Sequence, residues 1–381
     1  MTSLIKLTPL EPYFFGGERT FHYAGVNETG NSYFIRSLDW PTQTTLFGTL
    51  RYLGNRKKGN GTGGFQRDDE AIGPDSFNLG VHGQSFGWIE SISPLYLVND
   101  SNEWLVPVPF DHRADELNYS PCGWSKNPTQ VTDGSGTRYR VLPEGLNPKS
   151  GLAEGWLNLT SRVVEKTEPE SSTAAQTEPL ARSIVRFEHS SQRASAGPAP
   201  DPDDPDKLLR RRLLKELRKG LSFAFFAELD NRFTPEPSIA YLGQGRRGFA
   251  VKVIEEREAT EALAASSTLV ADAVLGAERD IPPGHVLGYA LSDVYLDPAR
   301  LAECCSFTIT KTRPLRGFST QYGEGSQSQR FRRGQQLLHL MSAGTVFLIN
   351  NPQAFHKLLA TERSAKIAGF NHVVVKEGPE T

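Results

Sequence analysis

Gly87-Trp-Ile-Glu-Ser-Ile-Ser-Pro-Leu-Tyr-Leu-Val98, then Asn99-Asp-Ser-Asn102, then Glu103-Trp-Leu-Val-Pro-Val108: two runs rich in aliphatic and aromatic side chains flank four polar turn formers. This is the pattern of a β-hairpin, and a hairpin commits its strands to antiparallel pairing. Toward the N-terminus, Leu4, Lys6 and Thr8 alternate with Ile5 and Leu7, a period-two strand that Pro9 and Pro12 end. Pro41 suits the first turn of a helix whose stripe is Leu46, Leu50 and Leu53, with Gly54 as its stop. Toward the C-terminus, Gly220–Leu229 reads as a strand buried on both faces, and Tyr241–Val253 as a glycine-rich loop running into a strand. Glu258–Gly276 is Ala-rich and helical. Val286–Leu291, Ser306–Thr310, Leu337–Met341 and Gly344–Ile349 are strand-like. The leucines of Lys207–Lys219 are spaced as on an amphipathic helix with a basic side. Adjacent strand runs with single helices between them predict an α+β fold with antiparallel sheets.

The chain has 381 residues, of which 38% are apolar. That share is low for a compact domain and predicts long loops. They fall at Asp111–Gly155, rich in Pro, Gly, Asn and Ser, and at Thr167–Asp206, whose composition buries too little apolar area to order itself. Arg182–Glu188 is a strand-like exception. The expected division is therefore residues 1–111, an insertion over 112–206, and 207–381. A net charge of −2 excludes a globally basic nucleic-acid binder but not a locally basic groove. No run of about 18 apolar residues occurs, and Met1–Leu7 lacks the features of a signal peptide, so the expectation is a cytoplasmic protein with no membrane partner. Cys122, Cys304 and Cys305 fit neither a disulfide framework nor a zinc site and are expected to be small buried side chains.

Charge is concentrated in one segment. Lys311 to Gly334 carries Lys311, Arg313, Arg316, Arg330, Arg332 and Arg333 against Glu324 alone, with Phe318, Tyr322 and Phe331 interleaved. Arginine grips phosphate with two prongs, aromatic faces stack on unpaired bases, and glycine lets the backbone approach both. The alternative is a solvated loop. Gly243-Gln-Gly-Arg246-Arg247-Gly248 has the spacing of a dinucleotide fingerprint, but a strand follows it where a helix is required. Its two arginines suit a nucleic-acid backbone. Catalytic signals are poor: the nucleophile elbow, the zincin helix and clustered nuclease carboxylates are all missing from the sequence. His22 and His112 are chemically able to act as a general base in RNA cleavage, although a lone histidine more often serves structure.

Several motifs, taken in order, resemble a known family. They are Leu10-Glu-Pro-Tyr-Phe-Phe-Gly-Gly-Glu-Arg-Thr-Phe21, the Pro41-x-x-Thr-x-x-Phe-Gly-x-Leu-Arg51 helix, Ser93-Pro-Leu-Tyr-Leu, Val106-Pro-Val-Pro-Phe-Asp111, Leu242-Gly-Gln-Gly-Arg-Arg247 and Ser342-Ala-Gly-Thr-Val-Phe-Leu348. Together they resemble RAMP-superfamily subunits of CRISPR–Cas effector complexes, and in particular the Cas-five-like third subunit of the type III-B (Cmr) complex. The likeness runs over roughly residues 3–111 and 182–350. The basic segment at Lys311–Gly334 is longer and more basic than that pattern, which leaves the type III subtype open.

The resemblance implies two ferredoxin-like (RRM-like) domains with long polar insertions, no nuclease activity, no cofactor and no metal. It implies that the chain grips the repeat-derived 5′ tag of crRNA. Its neighbours would be the large polymerase-like subunit and the repeated RAMP backbone subunit, with target RNA met indirectly. A thumb-like insertion is expected within 112–180. Carried over by position, Arg19, Arg36, Thr42, Thr44, Thr45 and Arg51 would face the tag, as would Arg246, Arg247, Arg313, Arg316, Tyr322, Arg330, Arg332 and Arg333. Two other classes stand beside this one: a metal-independent repeat endoribonuclease of the same superfamily using His22, and an unrelated interaction or glycan-binding module.

Overall fold

The computed structural model describes residues 1–22, 32–56, 69–75, 77, 79, 83–113, 117–124, 130–132, 138–140, 143, 146, 152–166, 178–189, 209–233, 235–243, 247–275, 281–321 and 330–375. In chain order, β1 (Thr2–Pro9), β2 (Phe15–His22) and β3 (Ser32–Leu38) lead into helix α1 (Gln43–Arg56) and the single turn α2 (Asp69–Ile72). Short strands follow: β4 (Ile89–Ile92), β5 (Tyr96–Asn99), β6 (Trp104–Pro107), β7 (Gln130–Thr132), β8 (Arg138–Arg140), β9 (Trp156–Asn158) and β10 (Val164–Glu165). Then come β11 (Ala181–His189), β12 (Leu209–Leu217), β13 (Leu221–Leu229), β14 (Ser238–Leu242), β15 (Arg247–Ile254) and α3 (Glu256–Val270), which continues as a π-helical turn over Ala271–Leu275. The chain closes with β16 (Val286–Ala290), α4 (Pro298–Ala302), β17 (Cys305–Ile309), β18 (Thr312–Gln321), β19 (Arg330–Met341), β20 (Val346–Ile349), α5 (Pro352–Thr361), α6 (Arg363–Ile367) and β21 (Val373–Val375).

A sheet of nine strands organises the molecule, in the order β10-β9-β6-β5-β13-β1-β15-β14, with β4 also paired to β13. Strands from all three expected segments of the chain enter it. The quoted hairpin forms as β5–β6, closed by the Asn99 amide donating to the Glu103 carbonyl at 3.2 Å. Its first run is divided at Ser93-Pro94, and the earlier part, β4, pairs separately with β13. Strand β13 is buried on both faces as expected. Phe223, Phe225, Ala227 and Leu229 enter the core under α1, while Ala224 and Phe226 enter the core that contains Ala259 and Val270 of α3. One sheet thus lies between two helices, and Ile5 and Leu7 of β1 face one while Leu4 faces the other.

Helix α1 runs two residues past Gly54, which was expected to end it. The glycine is there for space: a Cβ would lie 2.1 Å from Cε2 of buried Phe233. A second sheet, β17-β20-β16-β21, is built around β20, whose Phe347 and Ile349 pack with α5 and whose Val346 and Leu348 pack with Phe110 and Trp124. The Tyr289 hydroxyl of β16 donates to the Pro107 carbonyl of β6 and ties the two sheets together.

The third sheet, β11-β12-β3-β2, corrects the reading of Lys207–Lys219 as a helix. From Leu209 this segment is a strand, antiparallel to β11 and parallel to β3. Its anchor is Lys215, fully buried, whose Nζ lies 2.7 Å from Oδ1 of Asp39. Tyr13 exchanges backbone hydrogen bonds with Lys215 at 2.8 and 2.9 Å, and its hydroxyl donates to the Asp39 carbonyl at 2.8 Å. Among the described residues the chain is thus mixed α/β, with antiparallel sheets, few helices and one parallel pairing. The three cysteines are buried and form no disulfide.

Two stability measurements test this packing. Gly54→Ala, worth about 1 kcal/mol of gain in an open helix, is expected to lower the denaturation midpoint because of the Phe233 ring, and Phe233→Leu in that background to restore it. An unchanged or raised midpoint for the single variant would contradict the contact. Lys215→Met strands the Asp39 carboxylate and is expected to cost about 3 kcal/mol, with Asp39→Asn recovering part of the loss in the double variant. Additive losses in that cycle would show that the two side chains are not a pair.

Candidate nucleic-acid interface

The basic segment Lys311–Gly334 is built on a hairpin of two long strands, β18 and β19. At its base Thr312 lies opposite Met341 and Arg313 opposite Leu340. A register shift between Arg316 and Phe318 introduces an outer part in which Phe318 faces Arg333, Ser319 faces Arg332, Thr320 faces Phe331 and Gln321 faces Arg330. Cross-strand neighbours share a face, so the backbone alone sets arginine and aromatic positions side by side along an extended arm. Tyr322 and Arg246 lie outside the described residues, and Arg316, Arg330, Arg332 and Arg333 are placed by backbone register.

The base of this arm is tied to the N-terminus of α1 through a chain of contacts. Arg313 pairs with Asp293 at 3.3 Å, and the other oxygen of Asp293 accepts the Ala343 amide at 3.1 Å. Val294 and Met341 exchange backbone hydrogen bonds at 2.7 and 2.9 Å. Next along the chain, Tyr295 donates its amide to Oδ1 of Asn371 at 2.7 Å, and Asn371 Nδ2 donates to the Tyr295 carbonyl at 3.2 Å. Two residues before Asn371, Gly369 takes a φ of +85°, and a Cβ there would stand 2.6 Å from Oε1 of Gln43, the first residue of α1. Only glycine fits so tight a left-handed turn.

At that helix end the Thr42 hydroxyl lies 2.8 Å from the Thr44 hydroxyl and 2.9 Å from that of Thr45, and Thr42 carbonyl oxygen accepts from the Thr45 and Leu46 amides. The threonines therefore cap and order the first turn. Its N-terminal partial positive charge suits an anion.

Several predicted contacts turn out to hold the protein together. Arg51 donates to the Gly73 carbonyl at 3.0 Å. Arg247, with only 13% of its side chain exposed, pairs with Glu11 at 2.9 Å, and Glu11 also accepts the Gly248 amide at 3.3 Å. Arg36 is exposed on β3. Arg19 and His22 are set in β2 by their backbones, opposite Ile35 and Ser32. His112 is buried; its Nδ1 accepts the Ser120 amide at 3.0 Å and its ring stacks on Tyr119, so it serves structure.

The quoted motifs meet one another in pairs. A Cβ on Gly243, at φ +70°, would stand 2.3 Å from the Phe14 carbonyl, so the glycine-rich segment closes onto the opening motif. Gly344, at φ +93°, stands against the Val108 carbonyl and accepts the Phe110 amide at 2.8 Å. Asp111 of the same element accepts from the Trp124 indole at 3.3 Å. Among the described residues no group of three or more His, Cys, Asp or Glu side chains is placed to hold a metal ion, and no helix is long and apolar enough to cross a membrane.

A family model described as CRISPR-associated protein (Cas_Cmr3) matches residues 5–375. Among solved structures, the chain is similar to a chain in the cryo-EM structure of the type III-B Cmr-beta bound to cognate target RNA. The identity is 13%, the coverage 98% of this chain and 96% of that one, and the TM-score 0.46. A second similar chain, from the same assembly with AMPPnP also bound, shows 13% identity, the same coverage and a TM-score of 0.44. No curated protein matches.

The strap after Asn371 gives this region a pH signature. His372 is buried, and burial together with the nearby Lys366 charge pulls its pKa down to about 4. Above pH 6.5 the ring is neutral whether the chain is folded or unfolded. Below that, the unfolded chain takes a proton that the folded one refuses, so stability falls until the pH reaches about 4. The difference between wild type and His372→Gln is expected to change by up to about 1.4 kcal/mol per pH unit across that window. Parallel pH–stability curves for the two proteins would contradict this assignment.

Proposed function

The chain belongs to the CRISPR-associated Cas_Cmr3 family, whose members are subunits of type III-B effector complexes, and from that premise we propose that it is a non-catalytic guide-RNA-binding subunit. In this reading it grips the repeat-derived 5′ tag of crRNA and bridges the large polymerase-like subunit to the repeated RAMP backbone subunit. The observation that carries the proposal is the β18–β19 arm, in which Phe318 faces Arg333 and Phe331 sits two positions before it on the same strand. Guanidinium groups bind phosphate and aromatic rings stack on unpaired bases without reading sequence, the chemistry that a short single-stranded tag requires. The threonine-capped end of α1, joined to the arm through Gly369, Asn371 and Asp293, is the site's second wall. Arg313 holds the base of the arm through Asp293, and Arg51 and Arg247 serve the fold through the Gly73 carbonyl and Glu11, while in this reading Arg316, Arg330, Arg332 and Arg333 are the RNA contacts. The order β1–α1–β14, with β15 lying antiparallel between the two strands, supports a ferredoxin-like unit as the scaffold.

The test is a binding titration of the full chain, alone and with the large subunit, against RNA carrying the repeat-derived tag. Affinity is expected to fall with salt, and the triple Arg330→Gln, Arg332→Gln, Arg333→Gln variant to lower the slope of log K against log[salt] by about 2, from roughly 0.7 per lost phosphate contact. No affinity in either setting, or cleavage of the repeat in EDTA, would overturn the reading.

A further inference from the structure

We propose that one end of the nine-stranded sheet, over β1, β15 and β14, is a docking surface for a partner protein, occupied by a segment whose apolar side chains are flanked by carboxylates. It rests on the reading of the chain as a subunit that bridges others, and does not need the β18–β19 arm to bind RNA.

The surface is the part of a sheet face that α3 leaves uncovered. On that face Leu4 of β1 is buried in the core shared with α3, and Ile254 of β15 packs against the same core. Further along the strands, Lys6 lies opposite Lys252, Thr8 opposite Ala250, and Ala250 in turn opposite Ile239 of β14. Beyond them the Leu10 amide donates to the Gly248 carbonyl at 3.0 Å, and Gly248 faces Tyr241. The alternate residues Leu7, Phe249, Val251 and Ala240 fill the core under α1, which sets the rows just named on the opposite side.

Leu10 is 58% exposed, Tyr241 57% and Ile239 47%, three of the five large apolar side chains exposed among the described residues. They gather about one glycine: a Cβ on Gly248 would stand 3.7 Å from Leu10 Cδ1 and 4.0 Å from Ile239 Cγ2. Single exposed apolar side chains are ordinary on a surface, but a cluster over a flat floor and rimmed by polar groups is the form of a contact site. About 13 Å away, four residues along β1 at the usual rise, stand the two lysines. Lys252 is exposed and forms no ion pair among the described residues. Lys6 donates to Oδ1 of Asn102 at 3.0 Å, and burial together with the Lys252 charge lowers its pKa against a smaller opposing pull from Asp100. A carboxylate brought from outside relieves that crowding of positive charge.

The chemistry favours protein over RNA here. Two of the three exposed apolar side chains are aliphatic and offer a base no ring to stack on, whereas platforms for single-stranded RNA use successive aromatic faces. Arg247, at this end of β15, is held by Glu11, whose carboxylate is 42% exposed next to Leu10 and repels a phosphate backbone. An apolar centre with charge at its margin is instead the anatomy of a protein interface.

The test uses the full chain as wild type, as the double variant Leu10→Ser with Tyr241→Ser, and as Lys252→Glu. Lys252→Glu sets a carboxylate opposite Lys6, so its charge does not work against the sheet. Binding to the large polymerase-like subunit and to the repeated backbone subunit is measured separately, without RNA. For one of the two, the double variant is expected to lose at least about tenfold in affinity, and Lys252→Glu to slow association about tenfold at low salt and less at high salt. Affinity for RNA carrying the repeat-derived tag is expected to stay at the wild-type value in both variants. If wild type binds neither subunit, the bridging reading fails and the docking surface with it. If wild type binds and both variants bind equally well, the surface is wrong and the bridging reading stands. A loss in the double variant with no change in Lys252→Glu overturns the acidic occupant. Variants that lose tagged RNA while keeping both subunits give the surface to RNA and overturn the proposal.

Discussion

A buried ammonium holds the architecture together. Lys215 has no exposed surface, and its charge is answered by Asp39 at 2.7 Å, with Tyr13 bound to both through backbone and hydroxyl. Taking a lysine out of water is costly unless it is paired and hydrogen-bonded. The requirement fixes three distant stretches of chain at one point: the segment before β2, the segment after β3, and β12. Once that point is fixed, the order and register of β11, β12, β3 and β2 follow from it.

The same principle runs through the rest of the molecule. Arg247 with Glu11, Arg313 with Asp293 and Arg51 with the Gly73 carbonyl each join residues far apart in sequence. The Arg313 pair lies at the base of the β18–β19 hairpin, and the positions of Arg330, Arg332 and Arg333 lie further out along it by backbone register. A net charge of −2 is therefore a poor guide to this protein's electrostatics.

Much of the fold could be read from the sequence where local pattern and tertiary need coincide. Strand β13, apolar at nearly every position, could only be a strand covered on both sides, and the β5–β6 hairpin announced itself through Asn99-Asp-Ser-Asn102. The glycine motifs were legible because Gly243 and Gly344 occupy left-handed turns that press against other backbone. Strand β12 was misread for a physical reason. Leu209, Leu213 and Leu217 are four apart, a spacing that fits one helix face and, being even, one strand face as well. Leu, Arg, Lys and Glu favour a helix intrinsically, and Gly220 at φ +83° mimics a helix stop, yet pairing with the β-branched run of β11 decides the outcome. The structural roles of Arg51, Arg247 and Arg313 were invisible for the same kind of reason, since their partners are known only once the chain is folded.

The central claim is that an arginine and aromatic arm, set on a charge-neutralised base, holds the guide RNA. The most direct measurement is ultraviolet cross-linking of the chain to its guide RNA in the assembled effector, followed by mass spectrometry of the linked peptides. The account predicts cross-links in the peptides spanning Thr312–Gln321 and Arg330–Met341, at Phe318 and Phe331 among them. Cross-links confined to other parts of the chain, with that arm unmarked, would contradict it.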